Sequence, residues 1–95
     1  MSVENVQTKP FEVLLREELY ELEKFLIEKN TSYGNSALEP IRIFSKTNAI
    51  EQLNVRIDDK LNRIMQGKEY LGDDTEKDLI GYLILKRLAR KDERV

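Results

Sequence analysis

An all-α fold follows from three observations. Apolar residues recur at steps of three and four over several long stretches, no stretch alternates polar and apolar residues as a strand would, and only 4 Gly and 2 Pro interrupt 95 residues. This pattern predicts a compact bundle of three long helices plus a short helix, oligomeric because helices this short often need a copy of themselves to complete a core. At this length the chain is expected to form one domain over residues 1–95, with its core over about 8–90 and frayed ends at 1–7 and 91–95.

The first helix is expected over about residues 10–29. Thr8 can satisfy a free backbone amide at its start, and Pro10 costs nothing in a first turn. Phe11, Leu14, Leu15, Leu19, Leu22, Phe25 and Leu26 then share one face, while the other face is acidic. The polar stretch NTSYGNS follows as a connection. Ala37, Leu38, Ile41, Ile43 and Phe44 resume an apolar pattern around Pro40, where the short helix or a turn is expected. Asn48 and Glu51 stand at capping-box spacing and open the second long helix, whose stripe is Ile50, Leu53, Ile57, Leu61 and Ile64 and whose end falls at Gly67. A loop, GKEYLGDD, leads to Asp73, Asp74 and Thr75, which start the last helix. With Leu79, Ile80, Tyr82, Leu83, Ile84, Leu85 and Leu88 that helix is apolar nearly all round, which places it at the centre of the bundle.

Composition removes several classes of function. With 16 basic and 18 acidic residues the formal net charge is -2, so no global field attracts nucleic acid or an anionic membrane, and a basic site has to be local. The 7% of aromatic residues is too few for a nucleic-acid stacking platform. Without Cys or His there is no disulfide, no structural zinc of the usual kind, and no thiol or imidazole catalysis. Any acid-base or metal chemistry falls to Asp, Glu, Lys or Tyr. The N-terminal MSVENVQTKP lacks the basic start and apolar core of a signal peptide, and no apolar run approaches the roughly 18–20 residues of a membrane span. The expectation is a soluble, cytoplasmic protein.

Three constellations can carry chemistry. In REELYELEKF, Glu17, Glu18 and Glu21 have the spacing E-E-x-x-E, so their carboxylates can converge on one side of a helix and hold Mg²⁺. The same residues also make an ordinary solvated acidic face near a helix N-terminus. In RIDDKLNRI, Arg56, Asp59, Lys60 and Arg63 form a line of alternating charge. Such a line is commonly a ladder of surface ion pairs, yet Lys60 and Arg63 would also suit phosphate oxygens. In GDDTEKDLIGYLIL, Asp74 and Asp78 lie one turn apart, and Asp78 opens directly onto apolar residues, where a carboxylate needs a partner or a metal. Gly81 inside this helix costs about 1 kcal/mol relative to Ala, which points to a close approach by another backbone or a ligand.

The order KNTSYGNS, RIDDKLNRI, DDTEKDLIGYLIL resembles a family of small, mostly phage-associated helical proteins, the nucleotide modification associated domains, over about residues 28–85. The resemblance implies a nucleotide pocket in which Tyr33 stacks on the base. Asn30, Gly34, Asn35 and Ser36 would complete its loop, and Lys60 and Arg63 would steady the phosphates. More distantly, EELYE is similar to the E-E-x-x-E of MazG-like all-α nucleoside triphosphate pyrophosphohydrolases. That implies Mg²⁺ held by Glu17, Glu18, Glu21, Asp74 and Asp78, with Glu18 and Asp78 as catalytic groups. Two departures stand: Thr75 occupies the place of an acid in the partner motif E-x-x-D, and the acidic motif falls on the first helix instead of a later one.

Three functions compete on this reading. One is a Mg-dependent nucleoside triphosphate pyrophosphohydrolase. A second is a non-catalytic sponge that sequesters a nucleotide second messenger to counter host immune signalling, acting in the host cytoplasm if phage-encoded. The third is a helical oligomerisation module whose last helix packs against a copy of itself. The expected partners are a nucleotide and further copies of the chain, with neither membrane nor nucleic acid.

Overall fold

A computed structural model of the chain describes residues 9–68 and 72–91. Among them the fold is all-helical, with three helices in the order α1 (Phe11–Tyr33), α2 (Ala49–Met65) and α3 (Thr75–Lys91) and no strand. The expected frayed ends, residues 1–7 and 92–95, and the middle of the loop between α2 and α3, residues 69–71, lie outside the described residues. Lys91 is still helical.

Each helix boundary has a local cause. The first turn of α1 closes on Pro10, whose carbonyl accepts from the amides of Val13 (3.0 Å) and Leu14 (3.1 Å). The helix then runs a full turn past residue 29, through Asn30 to Tyr33, because its stop signal is Gly34. At φ 59°, Gly34 enters the left-handed region that a Cβ disfavours. There the amide of Asn35 donates to the Asn30 carbonyl (3.2 Å) and that of Gly34 to the Thr31 carbonyl (3.4 Å), the paired bonds of a Schellman ending. Gly67, at φ 65°, ends α2 by the same device, with the Lys68 amide donating to the Arg63 carbonyl and that of Gly67 to Ile64. The start of α2 is the expected one: the Asn48 carboxamide oxygen accepts from the Glu51 amide at 2.9 Å. At the start of α3, the Asp74 carboxylate accepts from the Lys77 amide at 3.0 Å.

The expected short helix does not form. The carbonyl of Asn35, itself at φ 68°, accepts from the amides of Leu38 and Glu39 in a single turn, and Pro40 has no amide with which to continue it. Ile41, Ile43 and Phe44 consequently lie on an irregular connection and are exposed, Phe44 at 96%.

The core is an α2–α3 pair, antiparallel because Arg63 meets Asp73 and the earlier Lys60 meets the later Asp78. Helix α1 leans against it over a shorter stretch; α1 and α2 make no close helix-to-helix approach. Small residues accompany the pair: Ala49, Thr75 and Ala89 are buried with Leu53 and Ile57. Helix α3 is thus the helix that touches both others, as its all-round apolar character predicts. Gly81 is closely approached by α1, but by side chains in place of the expected backbone or ligand: a Cβ there would lie 3.1 Å from Leu26 Cδ2 and 3.5 Å from Phe25 Cε2. The half of α1 before Leu22 is not packed against α3 and stays exposed, Phe11 at 71%. On α1 only Leu22 is fully buried.

Candidate functional site

Since α1 and α2 touch α3 and do not close on each other, they leave a groove of about 420 Å³ between them, floored by α3. That volume lies within the range of small-molecule sites. Helical periodicity explains which residues line it. Phe25, Lys29 and Tyr33 descend α1 at four-residue steps, Gln52, Arg56 and Lys60 do the same on α2, and Asp78 and Tyr82 on α3. Asn30, Ser36 and Ala37 close one end, and Leu26, Leu53, Gly81 and Leu85 supply apolar surface beneath.

The chemistry of this lining is uneven. Three cations and one carboxylate reach the groove in a chain that is net acidic. The carboxylate, Asp78, is answered by Lys60 at 3.3 Å, with both side chains mostly out of water. The Asp78 question raised by the sequence, partner or metal, is therefore answered within the chain by an ammonium partner. Arg56 and Lys29 have no carboxylate within ion-pair distance among the described residues. The Lys29 ammonium lies between two rings, 5.5 Å from the Phe25 centroid and 5.7 Å from that of Tyr33, so positive charge and aromatic faces already share this wall.

The expected nucleotide-binding residues divide. Asn30, Tyr33, Ser36 and Lys60 line the groove, whereas Gly34 and Asn35 do not. Asn30 and Asn35 are engaged with each other, Nδ2 to Oδ1 at 2.6 Å, and Gly34 serves the helix ending. Arg63 does not line the groove: it lines an adjoining hollow that shares Arg56, Lys60 and Tyr82 with it, and is paired with Asp73 at 3.1 Å. In place of the expected Lys60 and Arg63 pair, the groove holds Arg56 and Lys60. These two are one turn apart, so the spacing that favours Lys60 also selects Arg56. Lys29 and Tyr82 can be found in the same way, each lying one helical turn after a residue of the groove wall.

The acidic residues expected to bind magnesium are dispersed. Glu17 pairs with Lys9 at 2.7 Å, Glu21 faces Lys24 at 3.8 Å, and Glu18 lies with them on the exposed half of α1. Asp74 caps α3 and Asp78 holds Lys60. Among the described residues no three carboxylates stand close enough together to hold a metal ion, so the set Glu17, Glu18, Glu21, Asp74 and Asp78 is not assembled there.

No described helix is long and apolar enough to cross a membrane. No family model matches the chain, and no match was found among curated proteins or solved structures.

Proposed function

We propose that the groove binds a nucleotide or a nucleotide-derived small molecule without needing a metal. The observation that carries this reading is Arg56: a guanidinium with no carboxylate partner among the described residues, opening into a pocket that Phe25, Tyr33 and Tyr82 also line. A guanidinium offers a planar fork of donors to phosphate oxygens, and aromatic faces accept a base by stacking. Lys29 adds a second cation on the wall opposite Arg56. A ligand with an anionic end and a flat aromatic end uses both properties; a purely apolar ligand would leave the cations desolvated and unpaired, which is costly. Binding without turnover suits a protein that sequesters a nucleotide second messenger and so blunts immune signalling in the host of a phage.

Thermal unfolding in EDTA with a panel of linear and cyclic nucleotides, a nucleoside and inorganic phosphate tests the reading. A nucleotide at 100-fold its Kd adds about 2.7 kcal/mol to the native state. The expected result is a raised melting temperature with at least one nucleotide, abolished by Arg56→Ala and by Tyr33→Ala. A panel that leaves the wild-type melting point unmoved rejects it. A magnesium-dependent pyrophosphohydrolase would need the α1 carboxylates, which do not line the groove. It would be established by pyrophosphate release from a nucleoside triphosphate that Glu18→Ala and Asp78→Ala abolish; the binding reading expects no release.

A further inference from the structure

The groove has a floor in α3 and walls in α1 and α2, and none of residues 38–51 lines it. Residues 38–48 connect the two walls, and the middle of that connection is not built into the fold. Ile41, Ile43 and Phe44 are 77%, 68% and 96% exposed. Arg42 between them sits at φ 62°, in the left-handed region that a Cβ disfavours. Among the described residues the side-chain hydrogen bonds of 40–46 stay inside the connection: Lys46 Nζ donates to the Ile43 carbonyl at 3.4 Å, and the Ser45 and Thr47 hydroxyls meet at 2.9 Å. Both ends, by contrast, are fixed at the rim of the groove. Ala37 lines it, and the Thr47 carbonyl accepts at 3.0 Å from Nε2 of Gln52, which lines it too. We propose that residues 38–47 form a strap that folds over the groove when a phosphate-bearing ligand fills it, with the Phe44 ring closing on that ligand.

The strap rests on the groove being a nucleotide site and adds what closes it. Reach permits the closure. Phe44 stands three residues before Thr47, and three residues of extended chain span about 10 Å, so its ring can come over the groove beside Gln52 while Thr47 stays in place. Charge makes the closure conditional. Residues 40–50 contain Arg42 and Lys46 and no acid, and among the described residues neither cation has a carboxylate within ion-pair distance. The groove opposite presents Lys29 and Arg56. Like charges hold the strap off an empty groove, whereas phosphate oxygens between them attract both sides. Once the repulsion is removed, Phe44 leaves water and meets a flat base, which favours the closed position. A nucleoside brings the base without the phosphate and leaves the strap open. Phe44, Arg42 and Lys46 thereby help to select phosphorylated ligands from a position outside the resting groove.

The chain has no tryptophan, so Phe44→Trp reports on the strap alone. This variant is titrated in EDTA with linear and cyclic adenine and guanine nucleotides, and with adenosine and guanosine as phosphate-free controls. The expected result is tryptophan emission typical of a side chain in water at the start, moving to shorter wavelength with each nucleotide that raises the wild-type melting temperature and with neither nucleoside. Phe44→Ser, at a position almost wholly exposed, is expected to keep the ligand-free melting temperature and helical circular dichroism. Its affinity for the same nucleotide is expected to fall about 10-fold, chiefly through faster dissociation, because ordering the strap offsets part of the gain from burying the ring. A nucleotide that stabilises the protein while the emission stays put and Phe44→Ser binds as wild type would overturn the strap and leave the groove site intact. If no nucleotide stabilises the wild type, the site falls and the strap with it. Emission already at short wavelength before nucleotide is added would place Phe44 against another surface, such as a second copy, and would also overturn the proposal.

Discussion

The two halves of α1 carry the same apolar face and meet different surroundings. From Leu22 onward the face reaches α3, buries Leu22, half-buries Phe25 and Leu26, and turns Lys29 and Tyr33 toward α2 across the groove. Before Leu22 the same stripe faces solvent. Hydrophobic pattern alone therefore tells which side of a helix wants a partner and not whether the chain supplies one. That depends on reach: α3 has 17 residues, about 25 Å, and α1 has 23, about 34 Å. The longer helix must overhang. Its covered half lines the groove, and its other half stays exposed.

Substitutions in the covered core and on the overhang sharpen that contrast, beginning with the largest effect. Leu53→Ala empties a buried position between the helices and is expected to lower stability by about 2–5 kcal/mol. Leu15→Ala, on the exposed half of α1 and measured by chemical denaturation, is expected to change it by less than about 0.5 kcal/mol. Comparable costs at the two sites would mean that the overhang is packed in the single chain.

Gly81→Leu probes the contact that makes the groove. The new side chain meets Leu26 and Phe25, so α1 is pushed from α3 at an expected cost of about 1–3 kcal/mol. Nucleotide affinity should fall with it while most helical circular dichroism remains. Retained affinity in this variant would show that α1 does not form a wall of the site.

A smaller effect than that of Gly81→Leu concerns the pair beneath the site. Lys60→Ala leaves Asp78 partly buried without its ammonium, at a cost of about 1–2 kcal/mol. The double variant Lys60→Ala, Asp78→Ala should recover part of that loss, and the coupling in a double-mutant cycle measures the pair. A coupling near zero would leave Asp78 available for another role, including the metal ligation that its position in the sequence suggests.

Much of the architecture is legible in the sequence because it rests on local rules. Asn48 at the start of α2, Gly67 at its end and Asp74 before α3 act through backbone amides a few residues away, and each does what its residue type permits. That something packs on Gly81 is legible, since a glycine inside a strong helix needs a compensation, but that it is the Leu26 and Phe25 side chains is not. The short helix is the exception: apolar residues around Pro40 look periodic, whereas Pro40 lacks the amide that a second turn requires. The site is only half legible. Tyr33, Asn30, Ser36 and Lys60 reach the groove, but the Tyr-Gly pair owes its glycine to the end of α1. Arg63 and the carboxylates of α1 point elsewhere, because local spacing does not determine which ladder of charge faces another helix. Arg56 and Arg63 both flank Lys60 on α2, and only the placement of α1 across from α2 decides that Arg56 is the one in the groove.

The central claim, a metal-independent nucleotide site in the groove, is most directly tested by mapping amide chemical-shift changes on ¹⁵N-labelled protein titrated with the best nucleotide in EDTA. The account predicts perturbations centred on Lys29, Tyr33, Arg56 and Tyr82, lost in Arg56→Ala, with Glu17, Glu18 and Glu21 unmoved. Perturbations that appear only with magnesium and centre on Glu17, Glu18 and Glu21 would contradict it.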